Sequence, residues 1–212
     1  RAVSSNQSIA FPNIALNVAM TESLDYVATK LEAAMRGKKT IEGAVAELLP
    51  QLVKEHKRII FNGNGYSDAW RKDAKKRGLL NLTNTVDALP ELTKPGVTKI
   101  FEQYKVLNGR EVHARYEIAV ETYVKTVNVE AQLMVLMANR YILPTALAYQ
   151  KDIAESVRAV RAAGGSTRES AKLLKRVAGL VDTLRVRTEK LATAMEHHTA
   201  SAEKHAKFTR DA

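Results

Sequence analysis

Residues 110 to 163 set the strongest limit on what this chain can fold into: apolar side chains recur there at helical spacing, and Pro144 is the one breaker before Gly164-Gly165. At 1.5 Å per residue, even the part before Pro144 predicts a helix of roughly 50 Å. Pro144 has no N–H to give to the preceding turn, so a kink or a split is expected there. Gly164-Gly165 predicts a turn and Ser166 or Thr167 a cap. Leu173, Leu174, Val177, Leu180, Val181, Leu184, Leu191 and Met195 then predict a second long helix running back. The expectation is an all-α fold built on a long antiparallel helical hairpin or bundle, with shorter N-terminal helices. Spacings of three and four along Leu173, Val177, Leu180 and Leu184 resemble a coiled-coil seam, which Arg187 breaks, so a bundle helix is expected rather than a free zipper. Another helix starts at Glu203 and stops in mid-pattern, and both ends of the chain are expected to be cut from a longer protein.

The N-terminal half predicts shorter elements. Pro12 suits the first residue of a helix carrying Ile14, Leu16, Val18, Met20, Leu24, Val27, Leu31 and Met35, which is apolar on more than one face and therefore needs a substantial partner. Thr40 predicts the cap of a second helix, kinked at Pro50, whose last turn gathers Lys54, His56, Lys57 and Arg58 at the negative end of the dipole. Ile59-Ile60-Phe61 then enters a turn at Asn62-Gly63-Asn64-Gly65, and Ser67 caps a short helix that Gly78 stops. One helical turn is expected around Val86 and Leu89, a short helix through Ile100, Phe101 and Tyr104, and a capping-box variant at Asn108 and Glu111.

Composition narrows the function classes. The 45% hydrophobic and 26% charged content is that of a globular chain, and 212 residues can bury roughly 70% of their unfolded surface. With no cysteine there is neither a disulfide framework nor a thiolate metal site, which fits a reducing compartment, with the cytoplasm as default. The most membrane-like stretch, residues 131 to 149, contains Gln132, Asn139, Arg140 and Pro144. An arginine at the bilayer centre costs about 2.5 to 3.5 kcal/mol, so a buried helix is expected instead. A net charge of +10 attracts polyanions, but the cations are interspersed with acids and apolar residues, as on solvated helix faces.

Catalytic and metal-binding signatures are weak. Gly63-Asn64-Gly65 lacks the later glycine and the lysine of a phosphate loop. His197 and His198 are adjacent and point about 100° apart on a helix, and His205 lies too far along to complete a metal face. His56, beside Lys57 and Arg58, and the pair His113 and Glu117 have no nucleophile or third partner in view. Tyr116, Tyr123, Tyr141 and Tyr149 mix helix faces, which predicts packing rather than a base-stacking platform. No catalytic residue and no metal ligand is therefore assigned.

One block exceeds helix grammar: His56-Lys57-Arg58-Ile59-Ile60-Phe61-Asn62-Gly63-Asn64-Gly65-Tyr66-Ser67, followed by Arg77-Gly78-Leu79-Leu80-Asn81-Leu82 and Thr85-Val86-Asp87-Ala88-Leu89-Pro90. It closely resembles type III glutamine synthetase. Arg115-Tyr116-Glu117-Ile118, Tyr123, Lys125-Thr126-Val127-Asn128-Val129-Glu130-Ala131 and Ile142-Leu143-Pro144 extend the resemblance over nearly the whole chain. Arg1-Ala2-Val3 looks like the end of the family's Arg-Phe-Glu-Phe-Arg strand, of which only the final arginine is present.

The resemblance implies an ATP-dependent ligase that joins ammonia to glutamate through γ-glutamyl phosphate, using Mg²⁺ or Mn²⁺. It implies that Arg1 grips a carboxylate of substrate glutamate in the intact enzyme, which suits a guanidinium fork. The motif's metal-binding glutamate is missing, and so is nearly all of the catalytic sheet, so the 212 residues alone are expected to be inactive and to need no cofactor. On this basis residues 1–36 end the catalytic domain, 37–109 hold short helices and loops of a C-terminal extension, and 110–212 form its hairpin. That extension is expected to pack subunits of a homo-oligomer, a dodecamer of two hexameric rings. The alternatives are a freestanding basic bundle that binds nucleic acid or a protein, and a regulatory role for the loop at residues 62 to 66.

Overall fold

The computed structural model describes residues 7–36, 40–196 and 202–211, and these are helical with no strand among them. The chain divides into two compact units, Arg1–Tyr116 and Glu117–Ala212.

Unit 1 is organised by α1 (Ala10–Met35). The helix begins earlier than expected, and Pro12 lies in its first turn, where backbone N–H groups have no intrahelical acceptor in any case. Val18 is its buried residue, packed with Phe101 of α5 (Pro95–Gln103) and Val112 of α6 (Gly109–Met137). Phe11 stacks on Phe101 at 6.4 Å, and the Arg115 guanidinium lies 5.4 Å from the Phe11 ring centre. The opposite stripe of α1, Leu16, Met20 and Leu24, is exposed, as a helix apolar on several faces requires.

Polar contacts fix the neighbours of α1. The Tyr104 hydroxyl donates to Asp25 at 2.9 Å, and burial together with that carboxylate pushes the Tyr104 pKa up. Towards α2 (Ile41–Glu55), Glu55 accepts from Tyr26 at 2.7 Å and from Lys30 at 3.1 Å. The Tyr26 hydroxyl, followed by the Lys30 ammonium, holds the Glu55 carboxyl below its ordinary 4.5, while Tyr26, followed by Glu55, raises Lys30 above its ordinary 10.5. A depressed carboxylate stabilises the fold above its unfolded pKa and loses that contribution as the pH falls through the folded value. A raised lysine does the reverse, losing its contribution as the pH rises through its folded value. The α1–α2 tie is therefore expected to hold between the ordinary values of the two groups, 4.5 and 10.5, and to loosen as the pH falls below 4.5. Amide exchange in α2 checks this, and Glu55→Gln should remove the acid-side change.

Several local expectations hold. Thr40 accepts from the Gly43 N–H, Ser67 from the Trp70 N–H, and Asn108 and Glu111 exchange reciprocal capping bonds of 3.0 and 2.7 Å. Pro50 sits inside α2, which nonetheless runs unbroken to Glu55. The turn near Val86 is α4 (Thr85–Ala88), continued by a 3-10 segment, Leu89–Thr93.

Unit 2 contains the rest of α6, a π-helical turn at Ala138–Ile142, α7 (Leu143–Ala162), α8 (Arg168–Met195) and α9 (Ala202–Asp211). The α7–α8 hairpin is present, with Gly164 at φ +78° in the turn, a conformation that a side chain would strain. Thr167 occupies the cap position of α8, but its side chain makes no capping bond.

Two expectations are corrected. Pro144 does not split the run, which stays helical through it. Inward positions fall at Ala131, Val135, Ala138, Leu143, Ala146, Gln150, Ile153 and Val157, so one interval, from 138 to 143, is five residues long. The π-turn absorbs that interval: the Leu143 N–H donates to the Ala138 carbonyl, and the inward stripe stays in phase. Pro144 follows at once, where the altered ladder tolerates its missing N–H, and Thr145 Oγ1 donates to the Tyr141 carbonyl at 2.8 Å. The α8 seam is also displaced. It runs through Leu174, Val177, Val181, Leu184, Thr188, Leu191 and Met195, whereas Leu180 is 60% exposed and Leu173 is exposed as well. Arg187 interrupts nothing, because Thr188 takes the inward position and donates its hydroxyl to the Leu184 carbonyl at 2.8 Å.

Candidate functional site

The most distinctive block, residues 56 to 67, folds into a braced turn in unit 1. A single 3-10 turn, Lys57–Ile59, leads out of α2, and the chain then reverses before α3 (Asp68–Lys76). Arg77 does the bracing. Its Nη1 donates to the carbonyls of Ile60 at 2.9 Å and Arg58 at 3.3 Å, and its Nη2 pairs with Asp73 at 2.7 Å. The planar guanidinium also lies 5.4 Å from the Trp70 ring, which stacks on Phe61 at 4.0 Å.

Inside the turn, Asn64 Oδ1 accepts from the Tyr66 N–H at 3.0 Å, and the Asn64 carbonyl accepts from the Ser67 hydroxyl at 2.8 Å. A Cβ on Gly63 would lie 2.8 Å from the Phe61 ring, so glycine here is a packing requirement. The Tyr66 N–H and the Ser67 hydroxyl are used within the turn. Ile59, Ile60 and Tyr66 stand exposed on it, with Leu80 and Leu82 exposed just beyond α3.

The other sequence candidates do not converge. Arg1, His197 and His198 lie outside the described residues. His56 meets the Tyr26 ring edge-on at 6.5 Å, and His113 lies against Tyr116 at 5.9 Å. His205 is half-buried in α9 and lines a cleft of about 250 Å³ with Val127, Met134, Leu191 and Phe208. Among the described residues no group of three or more His, Cys, Asp or Glu is placed to hold a metal ion. Tyr116 and Tyr123 are half-buried and Tyr141 and Tyr149 exposed, so the four form no single stacking surface. Several cations are taken up in ion pairs along the helices, as in Lys125–Glu121, Lys151–Glu155 and Lys172–Glu169.

What the structure does present is exposed apolar surface. The stretch from 131 to 149, expected to be a buried helix, is buried on one side only: Ala131, Val135 and Ala138 face inward, while Leu133, Leu136, Met137 and Tyr141 are exposed. No helix among the described residues is long and apolar enough to cross a membrane. Outward apolar positions were missed because hydropathy along the chain does not separate the two faces of a helix that is apolar on both. The detectable signal was the lack of charge: Arg140 is the sole charged residue between Glu130 and Lys151.

Comparison with known proteins identifies the family of the chain. Residues 44–161 match the model of the glutamine synthetase C-terminal domain family. The type-3 glutamine synthetase of Dictyostelium discoideum is 35% identical over 160 residues, which are 76% of this chain and 22% of that protein. A glutamine synthetase of Butyrivibrio fibrisolvens is 34% identical over 113 residues, 53% of this chain and 16% of the relative. One from Bacteroides fragilis (strain YCH46) is 27% identical over 157 residues, 74% and 22% respectively. The chain thus spans about a fifth of the length of these relatives.

Proposed function

The chain belongs to the glutamine synthetase C-terminal domain family, and from that premise we propose that it is the C-terminal helical region of a type III glutamine synthetase and serves subunit packing. In this reading the intact enzyme is a cytoplasmic ligase that makes glutamine from glutamate, ammonia and ATP by way of γ-glutamyl phosphate. The metal-held chemistry belongs to the part of the enzyme outside these residues. Arg1 is its one substrate contact here, donating to a glutamate carboxylate. Residues 1–36 end the catalytic domain, 37–109 form the short-helix part of the extension, and 110–212 form the hairpin. The family match begins at residue 44, beyond the proposed end of the catalytic domain, which is in keeping with the first of these boundaries.

The observation that carries the packing role is the extent of apolar surface left uncovered on α1, on the turn after α2 and on α6 and α7. Monomeric proteins rarely expose contiguous apolar patches above a few hundred Å². A homo-oligomer buries such faces by repetition, and a dodecamer of two six-membered rings is the assembly proposed.

The test uses the full-length enzyme with and without residues 110 to 212, examined by native mass and by glutamine formation. The truncated protein should lose its largest assembly. A truncated protein that assembles normally would overturn the packing role. Polyanion binding, the competing reading, would appear as affinity that falls steeply between 50 and 200 mM salt.

A further inference from the structure

We infer that Asn62 is a site of spontaneous covalent modification: it closes a succinimide with Gly63 and gives up its amide nitrogen as ammonia, while the turn protects Asn64 from the same reaction. The sequence supplies two Asn-Gly pairs, Asn62-Gly63 and Asn64-Gly65, and does not distinguish them. Asparagine is among the thermolabile residues, and a following glycine, having no Cβ, leaves its backbone nitrogen open to the side-chain carbonyl carbon. All four residues are exposed, so water reaches both pairs.

Hydrogen bonding separates the pairs. Ring closure requires the asparagine side chain and the peptide that follows it to rotate until the nitrogen meets Cγ. At Asn64 both are held: Oδ1 accepts from the Tyr66 N–H at 3.0 Å, and the main-chain carbonyl accepts from the Ser67 hydroxyl at 2.8 Å and the Ser67 N–H at 3.2 Å. Among the described residues the Asn62 carboxamide, the Asn62 carbonyl and the Gly63 N–H make no hydrogen bond. Packing also keeps the labile pair in place, since the Phe61 ring lies 2.8 Å from where a Cβ on residue 63 would stand.

The step needs only water. The Gly63 nitrogen loses its proton and bonds to Asn62 Cγ, the Cγ–Nδ2 bond breaks, and the nitrogen leaves with the proton as ammonia. Water then opens the ring. Attack at Cγ gives an ordinary aspartate, and attack at the main-chain carbonyl gives a β-linked aspartate, with no change of oxidation state in either case. Both products replace a neutral amide with a carboxylate. The β-linked one also adds an atom to the main chain, between the Phe61 ring stacked on Trp70 and the Asn64 carbonyl held by Ser67.

The test incubates the native full-length protein at neutral pH in ¹⁸O-labelled water, with a denatured sample alongside, and follows both asparagines by peptide mapping with fragmentation that separates aspartate from its β-linked isomer. In the native protein ¹⁸O should enter at residue 62 about tenfold faster than at 64 or more, because closure at 64 must first break hydrogen bonds of the turn. In the denatured chain the two pairs should react at comparable rates. Asn62→Gln should abolish labelling at 62, since the longer side chain closes a larger ring far less readily, and should leave Asn64 as slow as before. Equal rates at 62 and 64 in the native protein, a faster Asn64, or no label at Asn62 would overturn the inference.

Discussion

Phe101→Ala is expected to remove about 3 to 5 kcal/mol from unit 1, the cost of truncating a buried aromatic whose surroundings close only partly over the hole. Phe101 is 3% exposed and joins Val18 of α1 to Val112 at the start of α6, with Phe11 stacked on its ring. The core around it is thin: Val18, Phe101 and Val112 are its buried members, and Ile14, Ala15, Val97, Ile100, Tyr104 and Leu107 are only partly covered. Such a core has little reserve, and a domain's whole stability is about 5 to 15 kcal/mol. Amide exchange reads the effect locally, with α1 and α5 losing protection and the α7–α8 hairpin serving as reference. Phe101→Leu should restore part of the loss. If protection in α1 and α5 changes by less than about 1 kcal/mol, this cluster is not what holds unit 1 together.

What the sequence revealed, and what it hid, follows from how local each signal is. Caps at Thr40, Ser67 and Asn108 were legible because a short polar side chain two or three residues before an N–H has few other uses. The α8 seam was misread by taking Leu173 and Leu180 as inward positions. Burial instead selects Leu174, Val181 and Thr188, and a threonine serves on a seam when its hydroxyl finds a carbonyl one turn back. The braced turn was recognisable as an unusual block, but the role of Arg77 was hidden because its acceptors lie 17 and 19 residues away. The exposed apolar positions of α6 and α7 were hidden for a different reason: apolar residues on both sides of a helix look alike until a partner helix takes one side. Arg1, the one substrate contact the resemblance supplied, falls outside the described residues, so geometry adds nothing to it.

Deleting Arg140 puts the π-turn itself to the test, and the expected result is a loss of about 3 kcal/mol that Pro144→Ala largely restores. The inward interval from Ala138 to Leu143 is five residues, which an α-helix cannot accommodate without rotating every later side chain by roughly 100 to 140°. Removing one residue makes the interval four and lets an α-helix carry the stripe straight through. Only the proline then obstructs, because in a regular helix its ring meets the carbonyl four residues back and its missing N–H leaves an acceptor unpaired. Restoring an N–H in the deletion background should recover the hairpin, whereas Pro144→Ala in the undeleted protein removes no clash and should change stability much less. Deleting Lys125 instead, in the regular part of α6, turns the stripe by about 100° with no π-turn to absorb the change, and Pro144→Ala should not rescue it. Exchange protection across α7 and α8 distinguishes the cases. If the Arg140 and Lys125 deletions cost the same and respond alike to Pro144→Ala, the π-turn does not set the register. If only the Arg140 deletion is rescued, the five-residue interval and the proline behind it are one device, which keeps the inward stripe of the helix in line.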